Sequence, residues 1–131
     1  MDRGKERGFA DALMVEEAIG NGWIMVVDVK MPDGFVELCH LAGVDKGEAA
    51  VLRYAKEKGG LALLDDEAPR DLARSLRIPV RGTLGIIIDA VRKGLLDRKE
   101  ALSRLDEVSE MMYVSNEIYR RARTAIEKGR D

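Results

Sequence analysis

Apolar positions along the chain fall into two patterns: repeats at helical spacing and short unbroken blocks. Ala10, Leu13, Met14 and Ala18 recur near the spacing of one helix face, and Gly20, Asn21 and Gly22 stop the repeat, which predicts a helix over 5–19. Trp23 to Val29 (WIMVVDV) is nearly continuous apolar sequence rich in β-branched residues, the pattern of a strand covered on both faces. Met31-Pro32-Asp33-Gly34 breaks it, and a short helix is expected over 35–41, closed by Gly43. Asp45 followed three residues later by Glu48 opens a clearer helix, carried by Leu52, Tyr54 and Ala55 and ended at Lys58-Gly59-Gly60.

Leu61 to Leu64 forms a second buried-strand block that runs directly into Asp65 and Asp66. A helix over 67–76 tolerates Pro69 in its first turn, and Ile78-Pro79-Val80 is a very short strand. Gly82-Thr83 then opens a helix whose Leu84, Ile87, Ile88, Val91 and Leu95 should be mostly buried. Two amphipathic helices finish the chain within about 98–131, one through Leu102, Leu105 and Val108, the other opened by Ser115 with Ile118, Tyr119, Ala122 and Ile126 on one face. Strands alternating with helices predict a parallel sheet with helices on both faces, because a parallel connection needs a crossover. In such α/β sheets, sites collect at the carboxyl ends of strands, which directs attention to Asp65 and Asp66.

Composition narrows the class. A length of 131 residues suits one domain, and 46% hydrophobic with 35% charged residues excludes a disordered chain and a membrane-embedded one. No apolar run approaches the roughly 20 residues of a membrane span, and no signal-peptide core follows the charged start, so a soluble, cytoplasmic protein is expected. The net charge of −2 provides no global basic field, so any RNA contact would be local. The single cysteine, Cys39, has no disulfide partner within the chain and reads as a small buried apolar residue. The absence of glutamine, with abundant Glu, Lys and Arg, is a composition expected of a thermophilic source.

The acidic residues carry the candidate chemistry. Asp65 and Asp66 at a strand end can supply part of the oxygen shell of Mg²⁺, and a bound cation would serve metal-assisted phosphodiester hydrolysis. The same pair suits the amino terminus of a helix, where carboxylates accept free backbone N–H bonds, and that is the commoner job. Glu48 faces the same contest, because Asp45 and Glu48 have capping-box spacing. His40 is the only histidine, which excludes a histidine-rich metal site, and its expected place is the surface or partial core. Asp28, Asp33 and Asp89 are expected to be solvated or structural. Arg70, Arg74, Arg77 and Arg81 can touch phosphates or form a solvated face paired with Asp71 and nearby acids. Tyr113 and Tyr119 can stack bases or serve as core and dimer contacts. The methionines, Met111 and Met112 among them, read as packing or interface material.

Three pieces in order, Gly47-Glu48 opening a helix, the strand end Leu63-Leu64-Asp65-Asp66, and the turn Gly82-Thr83-Leu84-Gly85, resemble the DUF3368 family. This is a PIN-like group of bacterial and archaeal proteins related to VapC toxins. WIMVVDV and the Val114–Tyr119 segment VSNEIY extend the similarity over nearly the whole chain. The resemblance implies a three-layer PIN-like parallel sheet in one partial domain over 1–131, with Glu48 as the helix-borne acid, Asp65 as the acid ending the fourth strand and Asp66 as an auxiliary ligand. It implies catalysis and Mg²⁺ or Mn²⁺ binding by those acids, cleavage of RNA, and a role as the toxin of a toxin–antitoxin pair. It also implies that the first strands, with their aspartate, are missing, that activity is thereby impaired, and that apolar surface left uncovered favours a homo-oligomer. An alternative is a non-catalytic interaction or oligomerisation protein retaining a remnant of the fold. A flavodoxin-like or receiver-type domain fits less well, lacking the expected lysine arrangement and strand order.

Overall fold

The computed structural model describes residues 9–129. The chain separates into two compact units, 1–30 and 31–131. The first four positions of the predicted 5–19 helix lie outside the described residues, as do the last two positions of the predicted 98–131 helical end.

In the first unit, helix α1 runs Phe9–Gly20. Its end is wound tight: Gly22 takes the left-handed region at φ 76°, and the Trp23 and Ile24 N–H groups both donate to the Ala18 carbonyl, at 2.9 and 3.1 Å. Those donors are therefore spent on the helix end and are lost to any sheet. Residues 25–30 have no strand partner among the described residues, where the strand predicted over 23–29 is not formed. A block of β-branched residues specifies a strand only where a neighbouring ladder accepts it. Here Trp23 is 83% exposed and Val26 77%. The apolar face predicted for α1 is likewise corrected: Ala12 is buried, whereas Leu13 and Met14 are exposed.

The second unit is a mixed α/β structure, mostly helical. Helix α2 (Asp33–Leu41) follows Pro32, and Gly43, at φ 76°, lets the chain turn back so that Val44 donates to the Cys39 carbonyl. Helix α3 (Lys46–Lys58) begins with the predicted capping box: the Glu48 N–H donates to Asp45 Oδ1 at 2.8 Å and the Asp45 N–H to Glu48 Oε1 at 3.1 Å. Gly59, left-handed at φ 72°, ends it. Strand β1 (Ala62–Leu63) pairs in parallel with β2 (Val80–Arg81), with Ala62 opposite Val80 and Leu63 opposite Arg81. The ladder extends past both strands through Ala62 N–H to Pro79 O and Leu64 N–H to Arg81 O.

The crossover between the strands is α4 (Glu67–Ser75), with Pro69 buried in its first turn. It ends at Arg77, a non-glycine residue held at φ 58°. Leu52, Ala73, Leu64 and Ile78 join the helices to the strands in one core, with Leu52 wholly buried and contributing about 1.5–3 kcal/mol of transfer free energy. Cys39 lies in this core as expected, and burial raises its thiol pKa, which disfavours the reactive thiolate.

Helices α5 (Thr83–Arg92), α6 (Arg98–Met111) and α7 (Asn116–Lys128) form a second core from Ile87, Val91, Ala101, Leu105, Ala122 and Ile126. Gly94 at φ 76° stops α5 before Leu95, which is 75% exposed and not buried as predicted. Asp97 and Ser115 cap the last two helices by accepting from the Glu100 and Ile118 N–H groups. Among the described residues, no helix is long and apolar enough to cross a membrane.

Candidate active site

Both strands deliver their carboxyl ends to the same edge, β1 into Asp65 and β2 into Gly82. Asp65 does not cap the helix that follows it. Its Oδ1 accepts from the Thr83 backbone N–H at 2.7 Å and its Oδ2 from Thr83 Oγ1 at 2.6 Å. The amino-terminal cap of α5 is Gly82, which has no side chain to cap with, so the carboxylate is supplied from the neighbouring strand end. Gly82 is required by the same closeness: a Cβ there would lie 2.9 Å from Asp65 Oδ1 and 3.0 Å from an Arg70 guanidinium nitrogen. The glycine and threonine of the GTLG turn thus have separate physical duties, the one admitting the carboxylate and the other binding it.

Asp66 is the amino-terminal cap residue of α4, yet its side chain makes no capping hydrogen bond. It instead lies near enough to Glu48 on α3 for contact and charge to raise that carboxyl's pKa. The Asp45 N–H donated to Glu48 pulls that carboxyl down. Desolvation, the charge of Asp45 and the contact and charge of Asp66 outweigh it, so Glu48 stands above the ordinary glutamate range. Glu48 therefore does the capping job considered for it, one oxygen closing the capping box, and its carboxyl also lies near a second acid.

The structure thus brings Glu48 and Asp66 together from elements distant in sequence and turns Asp65, exposed beside them in the chain, toward Thr83. Among the described residues, no three His, Cys, Asp or Glu side chains are arranged as a ready metal cage. The donor chemistry of the facing pair nevertheless fits a hard cation, because two carboxylates at contact repel unless a proton or a metal lies between them.

The arginines divide. Arg74 pairs with Asp71 at 3.0 Å on an exposed helix face, the solvated alternative. Arg81 forks onto Asp89, with Nε to Oδ2 at 3.0 Å and a terminal nitrogen to Oδ1 at 2.6 Å, and this partner, together with Lys93 and Arg92, holds Asp89 below the usual aspartate range against its desolvation. The Arg81 guanidinium lies over Gly85, where a Cβ would meet it at 3.2 Å, so the second glycine of the turn also marks a close approach. His40 is exposed on the last turn of α2, as expected of a surface histidine. Tyr119 donates its hydroxyl to Asp106, which makes it a contact between α7 and α6. Thr83 is the partner of Asp65 that residue patterns did not single out; its only signal was its place in the GTLG turn.

Carboxylates gathered at the carboxyl end of a parallel strand in a mixed α/β fold define the class to which the sequence resemblance pointed. The family model DUF3368, described as a PIN domain, matches residues 1–128, and the chain belongs to that family. Neither a curated protein nor a solved structure matches it.

Proposed function

We propose that this PIN domain is a metal-dependent ribonuclease in which Glu48 and Asp66, with Asp65 beside them, hold Mg²⁺ or Mn²⁺. The observation that carries the reading is the approach of the Glu48 and Asp66 carboxyls, brought together from α3 and the strand end although 18 positions separate them, with no cationic side chain among the causes of Glu48's shift. A hard divalent cation supplies, when bound, activation of water and neutralisation of charge on a phosphodiester. The chain's own residues fix the donors: Asp45 orients Glu48 through the capping box, β1 delivers Asp66, and Thr83 holds Asp65 against rotation. In this reading the parallel pair β1–β2 belongs to the three-layer PIN sheet, the substrate is RNA, and an antitoxin covers the acidic edge in a toxin–antitoxin pair.

Calorimetry with Mn²⁺ tests it. Wild-type protein should bind Mn²⁺ and cleave single-stranded RNA, and Glu48→Gln and Asp66→Asn should each lose both while keeping the fold. Undiminished Mn²⁺ binding by the two variants would remove these acids from the site.

A second reading has its own observation. Trp23, Met25 and Val26 are 83, 73 and 77% exposed in the stretch that follows α1. Such a stretch suits a protein that works by association, including association with a second copy. Light scattering separates the two: a monomer at all concentrations that also cleaves RNA leaves only the enzyme.

A further inference from the structure

At the carboxyl ends of β1 and β2 a cavity of about 490 Å³ opens between the start of α4, the β2–α5 turn and the Met112–Ser115 loop. Asp65, Arg70 and Gly82 form one side, Leu84 and Ile118 add apolar surface, and Tyr113 stands at the loop. The volume is in the range of pockets that hold small ligands, roughly 300–1,000 Å³.

Two of its residues are unspent. Arg70 makes no ion pair or side-chain hydrogen bond with any described residue, and its Nε is buried without a partner. Its neighbour Arg81 is committed to Asp89 by two bonds, so of the two arginines that line the cavity, beside Asp65 and Glu67, Arg70 is the one with no bonded carboxylate among the described residues. A buried guanidinium nitrogen without a partner is costly unless something that visits the site completes its hydrogen bonding. Tyr113 is 91% exposed on a loop where an aromatic ring gains nothing from the core.

We propose that this cavity is a single-nucleotide subsite for an unpaired RNA strand, in which Arg70 binds a backbone phosphate and Tyr113 stacks on the adjoining base. The proposal rests on the ribonuclease reading above and adds to it the residues that seat the strand beside the acids. A guanidinium fork matches phosphate oxygens bidentately, and a tyrosine face accepts any base, so the subsite is tolerant of sequence and selective for unpaired strands. Arg74, one helical turn further and paired with Asp71, takes no part.

The test is fluorescence anisotropy of a labelled single-stranded hexaribonucleotide with the whole chain in EDTA, where no metal-dependent cleavage competes. Arg70→Ala should weaken binding about tenfold or more and lower the salt dependence by about one phosphate contact. Arg70→Lys, which keeps the aliphatic stem and the charge, should fall between the two and guards against a folding artefact. Tyr113→Ala should weaken binding by roughly five- to a hundredfold, and Tyr113→Phe should bind as wild type. Arg74→Ala is the control and should be unchanged. The proposal is overturned if wild type does not bind the oligonucleotide, if Arg70→Ala behaves like Arg74→Ala, or if Tyr113→Ala keeps full affinity. Mn²⁺ binding by Arg70→Ala, measured separately, should equal wild type, so loss of the metal reading and loss of this one are told apart.

Discussion

Asp65 and Thr83, 18 residues apart, are joined twice, carboxylate oxygen to backbone N–H and carboxylate oxygen to hydroxyl. The pair fastens the end of the first strand to the first turn of α5, and so ties the sheet core to the three-helix core. A charged acceptor at a helix amino terminus also meets the positive end of the helix dipole.

Thr83→Val deletes the hydroxyl while conserving the shape of the side chain, and should cost about 1–2 kcal/mol of stability, the range for an exposed charge-assisted bond. Thr83→Ser should restore most of it. Urea denaturation measures both, and an unaltered midpoint for the valine variant would show that the hydroxyl bond contributes nothing.

The Glu48–Asp66 contact gives a pH dependence of known sign. Glu48 has a folded pKa raised above its unfolded value. Its contribution is therefore fully present below the ordinary glutamate range and is lost as pH rises through the folded value. Glu48→Gln keeps a capping-box side chain and removes the titration. In chelator, the variant should gain on wild type as pH is raised from 4 to 7. Mn²⁺ should reverse that order at neutral pH by stabilising wild type alone. Denaturation midpoints across pH, with and without Mn²⁺, check both; parallel curves would mean that the two acids do not interact.

Gly82→Ala introduces a Cβ at 2.9 Å from Asp65 Oδ1 and 3.0 Å from Arg70. The carboxylate is pinned by Thr83 and cannot withdraw cheaply, so a loss of about 1–3 kcal/mol is expected. Combining Gly82→Ala with Asp65→Ala should recover part of that loss, because the nearer obstacle is gone; thermal melts of the single and double variants measure the coupling.

Arg77 sits at φ 58° just after α4, a place usually given to glycine. Arg77→Gly relieves left-handed strain of about 1–2 kcal/mol and gives back roughly half in unfolded-state entropy. A net gain of about 0.5–1 kcal/mol should appear as a higher melting temperature, and a lower one would show that the arginine side chain contributes more than its backbone costs.

Where a local pattern carries its own partner, the sequence is sufficient. Asp45 and Glu48 lie three residues apart and satisfy each other, so the helix start can be read from the chain; the same holds for Ser115 and for the glycines that end α2 and α3. Trp23 to Val29 shows the opposite case, because a strand exists only by virtue of its neighbour and no periodicity reveals whether that neighbour is there. The acids were legible as candidates, since they follow a β-branched or leucine-rich block, but their division of labour was not. Which of Asp65 and Asp66 turns to Thr83 and which turns to Glu48 depends on the twist of the chain as it leaves β1. Likewise four arginines were equivalent on paper, and only three-dimensional placement separates Arg70, unpaired, from Arg74 and Arg81, each with its carboxylate.

Trp23 is the chain's only indole, and it stands open to solvent next to the exposed Met25 and Val26. The protein therefore contains its own optical gauge: red-shifted emission whenever that stretch is bare, and a blue shift with slower quenching by iodide once a second molecule lies over it.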